Sequence, residues 1–235
     1  MKKFSIEALA RIIKGRIERD TSHDSYFTGV SIDSRTTKAG DCFFAIPGEN
    51  FDGHDYVSDA FAKGAICAVI NKNRVTGHVP RGTVLKVDDT VKALGDLARE
   101  YRQQAGFKVV AITGSVGKTM TRQITYHVLS QHYHVFASPK NFNNKIGLPL
   151  TLLSASPEHQ IVIAELGSNH PGEIAYLTRI AQPDIAVVTN VYPAHLEGFG
   201  DLQTIVREKL SISEGLQPGG ALIINADLVK WLNGN

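Results

Sequence analysis

Four segments in the second half of the chain, VVAI from Val109, IVIAEL from Ile161, IAVVTN from Ile185 and ALIIN from Ala221, are continuous apolar runs, each followed by a turn and a helical stretch. A strand with one wet face alternates polar and apolar residues. A strand that is apolar throughout is covered on both faces, and repeated strand, turn and helix units lay such strands parallel in one sheet. Residues 85–235 therefore read as a mostly parallel sheet with helices on both faces, entered through a helix that spaces Val91, Leu94, Leu97, Ala98 and Tyr101. The chain stops at Asn235 soon after its last strand, so this domain is expected to be incomplete.

Residues 1–84 read as a smaller α/β unit. Ser5 caps a helix carrying Ile6, Leu9, Ile12 and Ile13, with Gly15 placed to end it. Short strands follow at Val30, Cys42, Ala65 and Thr83, and Tyr56 to Lys63 reads as a helix closed by Gly64. With 43% hydrophobic and 20% charged residues, the 235-residue chain can bury a core. A net charge of +2 gives no whole-molecule field for nucleic acid or an anionic membrane. The longest apolar runs fall far below the roughly 18 residues of a membrane span, and Glu7 interrupts any signal-like start, which predicts a cytoplasmic protein. Cys42 and Cys67 lie inside apolar segments and read as reduced core residues.

Directly after VVAI comes Thr113-Gly114-Ser115-Val116-Gly117-Lys118-Thr119, followed by a helical stretch through Gln131. Strand, glycine loop, Lys-Thr and helix form the context of a phosphate-binding loop, here in the shorter GxxGKT form. The glycines let backbone N–H groups turn inward around phosphate oxygens, and the helix start adds its positive dipole end. Lys118 is then placed for the β and γ phosphates and Thr119 for Mg2+, which predicts ATP or GTP binding. Three residues join this loop by position. Glu165 ends IVIAEL at a strand's carboxyl end, where a second Mg2+ ligand belongs. His195 follows IAVVTN through a short turn, again at a strand end. Lys209 lies on an apolar helical stripe with Leu202, Ile205, Ile212 and Leu216. It is either a snorkelling lysine or a desolvated amine able to form a carbamate with CO2 and bind metal as a carboxylate does.

In the first domain, Ser34 and Arg35 follow a strand, and Gly53 and His54 close a glycine-rich segment. Arg35 could fork onto a phosphate. Asn143 and Asn144 belong to an amide-rich stretch able to hydrogen-bond a sugar or a peptide.

In this order these elements resemble the Mur ligase family of ATP-dependent amide ligases, across nearly the whole chain. DSRTTKAGDCFFAIPGENFDGHDYV is similar to the family's UDP-sugar-binding domain, and AITGSVGKTMT to its ATP loop. NFNNKIGLPLTLL, AELGSNHPGEIAYL and TNVYPAHLEGFG are most similar to the branch that joins D-alanyl-D-alanine to UDP-N-acetylmuramoyl-tripeptide. The resemblance implies ATP as co-substrate on residues 113–119 and Mg2+ on Thr119, Glu165, His195 and a carbamylated Lys209. It implies the UDP part at Ser34, Arg35, Gly53 and His54, and the muramoyl-peptide at Asn143 and Asn144. It also implies that the family's C-terminal Rossmann-like domain is missing from this chain. Met120 and Tyr192 depart from the family's usual hydroxyl residue and glycine, and Lys145 and Ser211 from residues often acidic in this branch. The alternatives are a noncatalytic module binding UDP-sugar or ATP, and a generic P-loop NTPase.

Overall fold

The computed structural model describes residues 1–19, 26–74, 82–139, 141–193 and 199–231. It divides into two compact units, Met1–Glu100 and Tyr101–Asn235. The division falls inside one helix, Thr90–Ala105, whereas the boundary drawn from the sequence, between residues 84 and 85, falls inside the strand Thr83–Val87.

The first unit runs β1 (Phe4–Ser5), α1 (Ile6–Ile12), β2 (Arg16–Arg19), β3 (Tyr26–Phe27), β4 (Gly29–Ser31), β5 (Asp41–Phe44), α2 (Val57–Ala62), β6 (Cys67–Asn71), β7 (Thr83–Val87) and the start of α3 (Thr90–Ala105). β1 and β3 form a small antiparallel pair. The main sheet has the order β2-β7-β6-β5-β4, parallel except for β2. Ser5 caps α1 as its sequence position implies, its Oγ accepting from the Ala8 amide at 3.1 Å. The helix ends differently from the expectation: Lys14, not Gly15, takes the left-handed turn, at φ +51°. Gly15 is needed for space instead, because a Cβ there would lie 3.1 to 3.2 Å from Ile13 and Val87.

Phe43, Ala45, Val57, Ala60, Ala68, Ile70 and Val84 belong to the core of this unit. Cys42 and Cys67 are free, fully buried and register partners across β5 and β6. Because β4 to β7 run parallel, the segments after each of them share one sheet edge, and Ser34, Arg35, Gly53 and His54 all lie there.

The second unit continues from α3 with β8 (Lys108–Thr113), α4 (Lys118–Leu129), β9 (Val135–Ala137), α5 (Gly147–Ser154), β10 (Ile161–Glu165), α6 (Glu173–Ala181), β11 (Ile185–Val188), α7 (Leu202–Leu210) and β12 (Ala221–Ile224). Its sheet has the order β12-β11-β8-β10-β9, wholly parallel. β8 is central and buried, as its sequence requires. The chain leaves β8 for β9 and β10 on one side, then crosses to β11 on the other. That reversal opens a crevice at the carboxyl end of β8, the place where such sheets bind ligands. β12 differs from the other apolar runs: it is an edge strand with one neighbour, and Ile223 is 53% exposed. Among the described residues no helix is long and apolar enough to cross a membrane.

Candidate nucleotide site

β8 delivers Thr113 to the crevice completely buried, its Oγ1 donating to the Leu166 carbonyl at 2.8 Å. The loop then turns on Gly114 (φ +144°) and Gly117 (φ +84°). α4 starts at Lys118 with no side-chain cap on its N-cap Gly117. The amides of its first turn are thus available to an anion at the positive end of the helix dipole. Lys118 folds back over the loop, donating to the carbonyls of Gly114 (2.7 Å) and Ser115 (3.3 Å). Burial pushes its amine pKa down, and the Glu165 carboxylate opposes that.

The first half of the loop is held by the segment after β11. The Ser115 amide donates to Asn190 O at 3.0 Å and the Val116 amide to Asn190 Oδ1 at 3.2 Å. Ser115 Oγ donates to Tyr192 O and accepts from the Tyr192 amide, both at 3.0 Å. With the Ser115 and Val116 amides engaged, the amides of the α4 turn are the ones placed to meet an anion. Tyr192 is not among the residues with positive φ, so a tyrosine there strains nothing.

Glu165, at the end of β10, is 5% exposed and comes to the same place. Thr119 Oγ1 donates to its Oε2 at 3.2 Å, and Arg122 Nε lies 2.9 Å from its Oε1. Among the described residues no cluster of three or more His, Cys, Asp or Glu forms. A hydroxyl and one carboxylate beside a phosphate loop still fit Mg2+, which takes few protein ligands and completes its shell with phosphate oxygens and water. His195 lies outside the described residues.

Lys209 is 4% exposed, and its Nζ donates to Ser168 Oγ at 2.7 Å and sits 5.7 Å from the Phe199 ring centroid. With Gly114, Ser115, Lys118 and Ile205 these residues line a cavity of about 20 Å3, room for roughly one water. Burial, then the Lys118 charge, lowers the Lys209 pKa to about 8, against the carboxylates of Glu208 and Glu173. Below pH 8 the amine is protonated in both the folded and unfolded chain, and the burial penalty is complete. As pH rises from about 8 toward the ordinary lysine value the unfolded chain binds more protons, so this group makes stability rise. In urea unfolding, wild type is expected to gain about 2 kcal/mol relative to Lys209→Met between about pH 7 and about pH 9.5. A pH-independent difference would contradict the buried-amine account.

Glu208, next to Lys209, is 4% exposed and points the other way, accepting from the amides of Gly172 (2.6 Å) and Ile174 (2.8 Å) at the start of α6. Sequence reasoning did not single out Arg122, Ser168, Asn190, Phe199 or Glu208. The available signal was helical spacing: Arg122 falls three and four residues after Thr119 and Lys118, hence on their face.

The structure gives Asn143 and Asn144 different places. The Gly167 amide, just past Glu165, donates to Asn143 O at 2.8 Å, which draws Asn143 to the site edge. Asn144 Oδ1 accepts from Ile146 (3.1 Å) and Gly147 (2.9 Å), so this side chain serves the start of α5.

In the first unit Arg35 projects into solvent, 85% exposed, and forks onto Asp33 at 2.7 to 3.2 Å. That pair lowers the Asp33 pKa to about 2. Gly53 packs on the Ile46 backbone, where a Cβ would come within 2.6 Å of nitrogen. Ser34 is buried, at 7% exposure. His54 Nε2 accepts from the Asn71 amide at 2.9 Å, so the proton sits on Nδ1 and is donated to Asp52 at 2.5 Å. Both ring nitrogens are engaged, and His54 pins its loop to β6 rather than offering a free nitrogen.

Comparison with known proteins matches residues 112–233 to the Mur ligase middle domain and residues 26–102 to the Mur ligase family catalytic domain. The UDP-N-acetylmuramoyl-tripeptide--D-alanyl-D-alanine ligases of Haemophilus influenzae and Escherichia coli are each 39% identical, over 97% and 99% of this chain and 50% of theirs. A crystal structure of MurF from Acinetobacter baumannii has a TM-score of 0.88 at 34% identity, covering 98% of this chain and 51% of that one. MurF ligase from Thermotoga maritima in complex with ADP has a TM-score of 0.79 at 33% identity, covering 88% and 47%. The chain spans about half the length of the curated relatives it matches. With a wholly parallel sheet whose central strand feeds a glycine loop, Lys118 and Thr119, and a middle-domain match over residues 112–233, the chain belongs to the Mur ligase family.

Proposed function

We propose that the chain contributes the nucleotide and sugar-nucleotide units of a cytoplasmic ligase that joins D-alanyl-D-alanine to UDP-N-acetylmuramoyl-tripeptide at the expense of ATP. The observation that carries this reading is the meeting of the uncapped α4 start, Lys118 and the Thr119–Glu165 pair at one strand edge, in a chain 39% identical to ligases of that name.

A carboxylate is a poor electrophile, so the peptide carboxylate first attacks the γ phosphorus of ATP, giving an acyl phosphate and ADP. The dipeptide amine then attacks that carbonyl, and phosphate leaves. In this reading the α4 amides and Lys118 bind the phosphates and neutralise charge developing on the transferred group. Thr119, Glu165, His195 and Lys209, as its carbamate, would hold Mg2+, which supplies further charge neutralisation. Lys209 waits desolvated on Ser168 with its proton weakly held, so that loss of this proton leaves the neutral amine, the form that reacts with CO2. Asn143 is assigned to the muramoyl-peptide, and Ser34, Arg35 and the Gly53–His54 loop to the UDP part. Arg35 exchanges Asp33 for phosphate oxygens there.

Joined to the C-terminal half of a relative, the chain is expected to release phosphate only when ATP, UDP-N-acetylmuramoyl-tripeptide and D-alanyl-D-alanine are present together. Lys209→Ala is expected to abolish that release, and Lys209→Glu to restore part of it. Phosphate release indifferent to the sugar-nucleotide and to Lys209→Ala would instead mark a generic NTPase.

A further inference from the structure

Arg122 is a charged residue on the sheet-facing side of α4, and it is only 8% exposed. Burying a guanidinium costs several kcal/mol unless it is well paired and hydrogen-bonded. The other buried arginine of this unit meets that condition: Arg102 donates to the carbonyls of Phe107, Ala181 and Gln182 and to the Asp184 carboxylate. Arg122 does not. Its Nε lies 2.9 Å from Glu165 Oε1, yet the N–H is not aimed at that oxygen and is left without an acceptor. A buried charge with an unsatisfied donor therefore sits against the carboxylate that faces Thr119.

Thr119 and Arg122 are three residues apart on one face of α4, and each takes a different oxygen of Glu165. The Arg122 charge lies against Oε1, and Oε2 is the oxygen that meets the Thr119 hydroxyl. Resting on the reading of this crevice as a Mg2+-nucleotide site, we propose that Arg122 is a positioning residue that fixes Glu165 as a one-oxygen metal ligand and touches neither metal nor nucleotide itself. Partners that orient metal ligands from behind commonly set metal affinity by about 10- to 100-fold. An arginine serving only the fold would alter stability and leave the metal dependence alone.

The test is calorimetric titration of ADP into the chain across a series of Mg2+ concentrations. Arg122→Gln is expected to move the Mg2+ half-point for tightening ADP binding upward by at least about tenfold. Its Mg2+-free ADP affinity should change by less than about twofold, and Arg122→Lys should return the half-point to within about threefold of wild type. A folded Arg122→Gln protein with an unchanged half-point, or with an equal loss in the absence of Mg2+, overturns the inference while leaving the nucleotide site standing. Wild-type ADP binding that ignores Mg2+ overturns the site reading itself, and the inference with it. One readout needs no variant: the Arg122 Nε–H resonance should move when Mg2+ is added to ADP-bound wild type. A resonance that stays in place overturns the proposal.

Discussion

Gly114→Ala is expected to abolish ADP binding by the chain and to lower its stability by about 3 kcal/mol. Two independent costs meet at this position. The backbone takes φ +144°, a conformation that side-chain-bearing residues rarely adopt. The added Cβ would also run into Thr189 Oγ1 and lie 3.0 and 3.2 Å from the backbone oxygen and nitrogen of Asn190. Thr189 Oγ1 and the Asn190 carbonyl oxygen hold the first half of the loop, through Val116 O and the Ser115 amide, so neither can yield cheaply. Gly117→Ala provides the contrast. Its φ is also positive, but the nearest atoms to a Cβ are 4.0 Å away. It is expected to cost about 1 kcal/mol and to weaken ADP binding without eliminating it. Chemical denaturation and calorimetry on both variants check the pair, and equal effects at the two glycines would contradict the crowding account.

Glu208→Ala is expected to destabilise the second unit by roughly 3 kcal/mol, because two amides of the α6 start lose their charged acceptor in a buried place. The same carboxylate ties α7 to α6, and Lys209 is its neighbour in sequence. The variant should therefore also disturb the Lys209–Ser168 contact, visible as a change in the Lys209 Nζ resonance. Glu208→Gln keeps one acceptor oxygen and the shape, and is expected to lose about 1 kcal/mol and to move the Lys209 amine pKa downward, because the Glu208 charge that opposes its lowering is gone. Urea unfolding and amine titration by NMR distinguish the two. A Glu208→Ala protein as stable as wild type would show that solvent replaces the carboxylate.

The sheet of the second unit was legible because burial on both faces writes itself as uninterrupted apolar sequence. The edge position of β12 was not, since the number of neighbours of a strand leaves no mark in a run such as ALII. The Ser5 cap was legible because its partner, Ala8, is three residues away. Lys14 was not, because packing against Ile13 and Val87 requires glycine at the next position and moves the left-handed turn back by one. In the site, the phosphate loop is a local motif and was plain. Arg122 and Glu208 are charged residues buried by partners 34 or more residues away along the chain, and helical spacing alone gives them no more weight than a solvated face. His54 and Asn144 carry the right chemistry for a ligand contact, yet the structure commits them to Asp52 and Asn71 and to the α5 start. Only the tertiary arrangement reveals that commitment.

A nucleotide's phosphates are expected on the amides at the start of α4, beside Thr119 and Glu165. Amide NMR spectra of the 15N-labelled chain, recorded while ADP and Mg2+ are added, test it directly. The resonances of Gly117, Lys118, Thr119 and Met120 should move first and furthest, and Lys118→Met should remove the response. Shifts confined to the first unit, or a response that survives Lys118→Met unchanged, would contradict it.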